Sequence, residues 1–415
     1  MSPPPAPLWR GRALALVGIV LFAYSLRTGV SSFAPLIVLM REDFELPSAV
    51  VGLIGTAPPV CYAVFGILTP RLERRFGLER LAVAAMAVTA LGLAARGLAV
   101  DVVTLLLPTV VVFAGLGVGN ILLPPLAKKY FPDRLGLVMT IYTAVIGIST
   151  FIPPLIAVPV AYATSWRVSI GMWAVLAAVA MIPWIALLLR QRGAARPDDE
   201  VIETASPLVL GRLWRSPIAW ALTTGFVVSG VIAYIGFTWL PQILIDLTGA
   251  SPEAAGAQLA LLAGLGLPCA LVVPMLVVRF HAARALYLVS VATGLGGALG
   301  LLLAPWAPSW IWVLLLGISG LLFPLTFILL ALRTRTHESA VSLSAFVQSI
   351  GYGIAALFPL GFGLLHDATG SWTVPLLVLA VVIVCAVPAG VIAARPGTVE
   401  DEWERRRRAR SAASR

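Results

Sequence analysis

Arg27 sits near the middle of the apolar stretch Ala13–Met40, far from any water-facing end. A charge at that depth costs roughly 2.5–3.5 kcal/mol on insertion scales, so a guanidinium retained there points to a polar or negative partner. Tyr24 and Ser31 lie three residues before it and four after it, which puts all three on one face of a helix. A guanidinium fork flanked by a phenol and a hydroxyl suits a small planar anion with delocalised oxygen or nitrogen acceptors. The competing reading is that Arg27 bonds backbone carbonyls or fixes helix packing. As the spans are drawn below, no Asp, Glu, Lys or second Arg lies deep in another span.

Other polar residues inside apolar stretches are candidates for lining a ligand cavity. Asn120 can orient a ligand, or can bond across a tight helix contact beside Gly115, Gly117 and Gly119. That glycine series lies inside an apolar span rather than after a soluble strand, so it is no dinucleotide loop. Tyr142 and Thr143 correspond, 206 residues later, to Gln348 and Ser349, and Tyr352 follows Gln348 by one turn. Tyr234 and Trp239 are candidates to wall or gate the same cavity, although aromatic residues also serve ordinary packing and interfacial roles. His281, His337 and His366 fall in loops or near span ends, with no metal-ligand spacing, and read as surface histidines. Cys61, Cys269 and Cys385 are scattered through apolar spans and form neither a disulfide framework nor a metal cluster. No nucleophile–base pair, metal motif or phosphate loop stands out, so neither an enzyme nor a cofactor is expected.

The elements that must position these residues follow from composition. The chain is 60% hydrophobic and only 12% charged, with mean hydropathy +0.97, where a soluble domain carries about 25% charged residues. Runs of about 20 apolar residues are transmembrane helices. Twelve are expected, over 13–40, 48–69, 80–99, 103–125, 135–160, 166–189, 216–244, 253–278, 284–304, 309–332, 339–365 and 372–394. The runs are continuous and longer than the ~10-residue strands of a barrel, which excludes that fold. With both termini cytoplasmic, all basic residues except Arg27, Arg41, Arg96 and Arg167 fall in inside segments, 25 of 29. The net charge of +10 is therefore a topology signal for a multi-pass cell (inner) membrane protein, not a nucleic-acid footprint. The tail arginines Arg405–Arg408 are either solvated or touch anionic headgroups, and the Met-Ser-Pro-Pro-Pro start reads as a disordered lead-in without a cleaved signal peptide.

The chain also repeats. Gly147, Pro153 and Ser165-Trp166 recur 206 residues later as Gly353, Pro359 and Ser371-Trp372, and Tyr24 and Thr28 recur 210 later as Tyr234 and Thr238. Two six-helix bundles follow, over 1–190 and 216–415 with the basic tail, joined by a cytoplasmic linker at 191–215. Parallel six-helix repeats of this kind place a substrate near the midplane between the halves. Arg27 corresponds to Phe237, so the scaffold itself does not require a cation there.

The segment Gly66-Ile-Leu-Thr-Pro70-Arg71-Leu-Glu73-Arg74-Arg75 resembles the major facilitator signature between spans 2 and 3, usually Gly-x-Leu-x-Asp-Arg-x-Gly-Arg-Arg. Pro70 replaces its Asp and Glu73 its second Gly, while Gly66, Arg71, Arg74 and Arg75 keep the cytoplasmic gating cluster. Gly119-Asn120-Ile-Leu-Leu-Pro124, Phe323-Pro324-Leu325, Gln348-Ser349-Ile-Gly351-Tyr352 and His366-Asp367-Ala-Thr-Gly370-Ser-Trp372 are more specific. With Leu26-Arg27-Thr28 and Trp239-Leu240-Pro241 they resemble the CynX/NimT branch, the cyanate and 2-nitroimidazole transporters. The resemblance implies an all-α membrane protein that moves a small molecule by alternating access, as a monomer. The expected cargo is a small polar or anionic solute, a cyanate-like anion or small organic weak acid, bound at a central cavity near Arg27. Efflux of neutral nitroheterocyclic or aromatic drugs is the alternative, and a non-transporting membrane sensor is the reading from another class. The absence of a midplane carboxylate argues against a proton relay and for anion exchange, facilitated diffusion, or movement of a weak acid with its own proton.

Overall fold

A computed structural model describes residues 12–191 and 211–405, so the lead-in, most of the linker and the tail beyond Arg405 lie outside the described residues. All regular structure among the described residues is helical. Twelve helical stretches are long and apolar enough to cross a membrane, from Ala13–Arg41 to Thr373–Ala393. They overlay the twelve runs read from the sequence. Their outward positions carry side chains such as Leu91, Leu107, Val175 and Val381, which are exposed and apolar. A bilayer makes that pattern favourable, because lipid offers backbone groups no partners and helices satisfy their own.

Prolines set where spans break. The helix of span 1 stops at Ser31, span 8 at Gly264, span 11 at Ala355 and span 12 at Val384. Each of these residues lies four before a proline: Pro35, Pro268, Pro359 and Pro388. A proline ring clashes with the carbonyl four residues back and offers it no N–H, which accounts for the position of each stop. Pro324 does the same to span 10, where the helix pauses between Ser319 and Leu322. Pro108, Pro124, Pro153, Pro183 and Pro241 stay inside continuous helices, and the Ser149 carbonyl that Pro153 frees accepts from Ser31 of span 1 at 3.5 Å.

The chain forms two compact units. The first comprises Met1–Glu45 with Cys61–Ile202, and the second comprises Leu46–Val60 with Glu203–Arg415. The first half of span 2 therefore packs with the second unit. In the first unit span 4 is the hub, and its glycines take three faces. A Cβ on Gly115 would lie 2.7 Å from the Ala85 carbonyl of span 3, on Gly117 3.0 Å from the Cys61 carbonyl of span 2, and on Gly119 2.9 Å from Leu26 of span 1. The glycine series is a packing device.

In the second unit span 7 is central and largely buried. Residues 399–405 add a short helix whose carboxylates cap two other helices. Glu402 accepts from the Ile218 amide at the start of span 7 and from Ser216, and Glu400 accepts from the amides of Arg335 and Thr336 before span 11. Burial pushes the Glu400 carboxyl up, but the amide and hydroxyl bonds outweigh it and hold the group below its ordinary value. Arg335 pairs with Asp401, and Arg212 lies over the Trp403 ring at 5.5 Å. Residues 400–403 are thus docked on protein, whereas Arg405, the one described residue of the tail arginines Arg405–Arg408, is exposed.

Candidate functional site

Span 1 holds Arg27 half-buried, with its guanidinium carbon 5.9 Å from the centre of the Tyr62 ring of span 2. That distance is within the range of a cation–π contact. Tyr24, also half-buried, lies one turn earlier with its ring 6.4 Å from Trp173 of span 6. Ser31 is fully buried and donates to the Arg27 carbonyl at 2.9 Å, so its hydroxyl is spent on its own helix and faces span 5 at Ser149. Tyr62 is the partner that sequence reading missed. Nothing in its spacing singles it out, and only the packing of span 2 beside span 1 brings it to Arg27.

Asn120 is part-buried and donates back to the Leu116 carbonyl at 3.1 Å. Tyr142 is part-buried on span 5, and the neighbouring Thr143 is exposed, its hydroxyl bonded to the Met139 carbonyl at 2.9 Å. In the second unit, Tyr234 and Tyr352 face each other at 6.4 Å, and Tyr352 meets Phe226 edge-on at 4.9 Å. Phe323 and Phe327 of span 10 extend that aromatic cluster. Gln348 donates to Ser344 at 2.7 Å, one turn back on its own helix. Trp239 is fully buried, its indole donating to the Pro359 carbonyl at 2.8 Å. The helix Ser48–Phe76 runs unbroken through Gly66 to Arg75, leaving Arg71, Arg74 and Arg75 exposed and Glu73 buried.

Arg96 corrects the view that Arg27 alone carries charge into the bundle. It stands one residue before the end of the span 3 helix, where charge counting assigns it to water, yet it is fully buried. Its Nη1 donates to the Gly29 carbonyl at 2.9 Å, and its guanidinium lies 5.1 Å over the Phe33 ring. The reason lies in the break of span 1. The last α-type bond there runs from the Ser32 amide to the Thr28 carbonyl, and the next carbonyl along, Gly29, accepts from Arg96. Nε and Nη2 of Arg96 have no hydrogen-bond partner among the described residues.

Two effects therefore compete at Arg96. A part-satisfied buried cation costs several kcal/mol, whereas its bond to the carbonyl and its ring contact return about 1.5–3 and about 2 kcal/mol. Arg96→Met, which fills the same volume, is expected to leave the melting temperature in detergent within a few degrees of wild type. Arg96→Ala, which adds a cavity of the kind costing about 2–5 kcal/mol, is expected to lower it clearly. Equal losses for both variants would show that the charge, not the volume, is what the fold needs.

The Major Facilitator Superfamily family model matches residues 16–356. The chain belongs to that superfamily. It is 30% identical to the 2-nitroimidazole transporter of Escherichia coli (strain K12), with 93% of this chain and 96% of that protein aligned. It is 28% identical to the uncharacterized transporter YycB of Bacillus subtilis (strain 168), over 92% and 93%. It is 26% identical to the cyanate transport protein CynX of Escherichia coli (strain K12), over 86% and 91%. Among solved structures, a bacterial homolog of the human lysosomal transporter Spinster superposes with TM-score 0.69 at 16% identity, covering 94% of this chain and 97% of that one. The nucleoside transporter NupG superposes with TM-score 0.71 at 11% identity, covering 92% and 99%. These structures share the fold. The chain is a multi-pass membrane protein of a small-molecule transporter family, not an enzyme.

Proposed function

We propose that this major facilitator moves a small polar or anionic solute by alternating access and that Arg27 holds the cargo. The observation that carries the proposal is the half-buried guanidinium in mid-span, set over the Tyr62 ring and one turn from Tyr24. Charge buried that deep is kept where it faces a partner, and an aromatic neighbour favours a flat, delocalised anion over a bulky hydrated one. The cyanate transport protein among the relatives is consistent with such a cargo. The sequence bias of basic residues supports cytoplasmic termini, and the two chain halves are read as the bodies that rock around the site. The protein is expected to work as a monomer.

One observation favours a second cargo class. Phe226, Tyr234, Phe323, Phe327 and Tyr352 form a connected aromatic cluster in the second unit, with Phe226 and Tyr234 buried within it, and one relative is a 2-nitroimidazole transporter. A thermal-shift screen of the purified protein separates the two. Cyanate and small carboxylates are expected to raise the melting temperature in wild type and to lose that effect in Arg27→Ala. If only neutral nitroheterocycles stabilise, and do so equally in Arg27→Ala, the anion reading is wrong.

A further inference from the structure

The two halves build a similar polar joint where span 6 or span 12 begins, and they differ in the groups that surround it. In the first, the Trp166 indole donates to Asp43 at 2.8 Å, and Arg167 pairs with Asp43 while its guanidinium lies 4.4 Å over the Trp166 ring. The indole bond and Arg167 hold the Asp43 carboxyl below its ordinary value. In the second, the Trp372 indole donates to Asp246 at 2.8 Å, and Gln242 donates to the other oxygen at 2.7 Å. The group over the Trp372 ring is His366, 4.1 Å between ring centres at 31°. Each half therefore sets a nitrogen-bearing side chain on the face of an indole whose N–H holds an aspartate, Arg167 one residue after its Trp and His366 six residues before. One half uses a permanent cation and the other an imidazole, which is a cation only when protonated.

We propose that His366 is a proton-binding site that ties the ends of spans 7, 11 and 12 together when occupied. Its Nδ1 is buried without a hydrogen-bond partner among the described residues and lies 3.7 Å from Asp367 Oδ1, just beyond bonding reach. Uptake of one proton from the adjoining solution makes both ring nitrogens donors. The imidazolium is then drawn to Asp367 and to the Trp372 face, and Trp372 is already bonded to Asp246. Asp367 lies on the histidine's own helix and Asp246 comes from span 7. Span 12 beyond Trp372 offers only Cys385 as an ionisable group, and residues 46–60 offer none.

The joint reaches further through span 11. Gly363 lies one turn before His366, and a Cβ there would be 2.6 Å from the Ser48 carbonyl and 2.8 Å from Trp239. Trp239 in turn packs on Trp372 at 5.4 Å. A proton on His366 thus stabilises the arrangement in which residues 48–56 are docked on span 11. The site does not depend on where cargo binds.

The test uses the full chain in lipid nanodiscs with [15N]histidine, in which His366 is assigned among three histidines by its loss in His366→Gln. The His366 ring nitrogens are expected to give different signals at pH 6 and at pH 8, as gain of the proposed proton requires. Amide exchange of residues 357–372, corrected for intrinsic rates, is expected to slow by about 3–30-fold from pH 8 to pH 6. His366→Gln should exchange at the fast rate at both pH values, and His366→Arg at the slow rate at both. Identical ring signals at the two pH values overturn the site. A change in the ring signal with no change in exchange, or with the same change in exchange in His366→Gln, overturns the joint.

Discussion

Arg27→Ala is expected to lower kcat/KM for a transported anion by about 30-fold or more, with normal expression and membrane insertion. Removing one partner of a desolvated charge pair costs about 2–5 kcal/mol, and every 1.4 kcal/mol is tenfold. The fold should tolerate the change, because the corresponding position of the second half carries Phe237. Arg27→Lys keeps the charge but loses the planar fork and its bidentate geometry, so about a tenfold loss is expected. Tyr62→Phe keeps the ring face under the guanidinium and should stay close to wild type, whereas Tyr62→Ala should follow Arg27→Lys. Uptake of radiolabelled cyanate into proteoliposomes, at fixed internal and external pH, measures all four. Full flux in both Arg27 variants would remove Arg27 from the site.

What could be read from sequence, and what could not, divides along physical lines. The twelve spans were legible because lipid demands long apolar runs and nothing else in the chain imitates them. The breaks were only half legible. Pro35 and Pro359 interrupt their helices whereas Pro153 and Pro241 do not, and nothing in the residue type itself tells the two outcomes apart. Arg96 was misread because charge counting follows position along the chain, while burial depends on which way a side chain turns. The free Gly29 carbonyl that draws it inward exists only once Pro35 has broken span 1. His366 reads as a surface histidine for a similar reason, since its partner Trp372 becomes a neighbour only when spans 11 and 12 fold back on each other. Trp239 was a candidate wall by type. Its full burial and its indole bond to the Pro359 carbonyl of span 11 place it in the packed interior of the second unit.

Gly52→Ala is expected to cut transport by tenfold or more and to cost about 1–3 kcal/mol of stability, the usual range for overpacking. The added Cβ would lie 2.7 Å from both the Leu360 Cα and the Pro359 carbonyl. Those are backbone atoms, held in place because Pro359 also accepts from Trp239 and the Ala356 carbonyl accepts from Thr56 at 2.8 Å. Relief therefore requires moving one helix against the other rather than turning a side chain. Gly55→Ala should behave alike but more mildly, since the nearest atoms to its Cβ belong to the side chain of Thr238, and Thr238→Ala should rescue it. On the proposed alternating-access cycle, with this packing made and broken at each turn, the variant would spend too little time with it made, so flux falls more than stability. Gly353→Ala provides the control on the same span 11. A Cβ there meets nothing within 4 Å, and helix propensity favours alanine by about 1 kcal/mol, so flux should be unchanged and the melting temperature equal or higher. If Gly52→Ala and Gly353→Ala transport equally well, close packing at Gly52 has no part in the cycle.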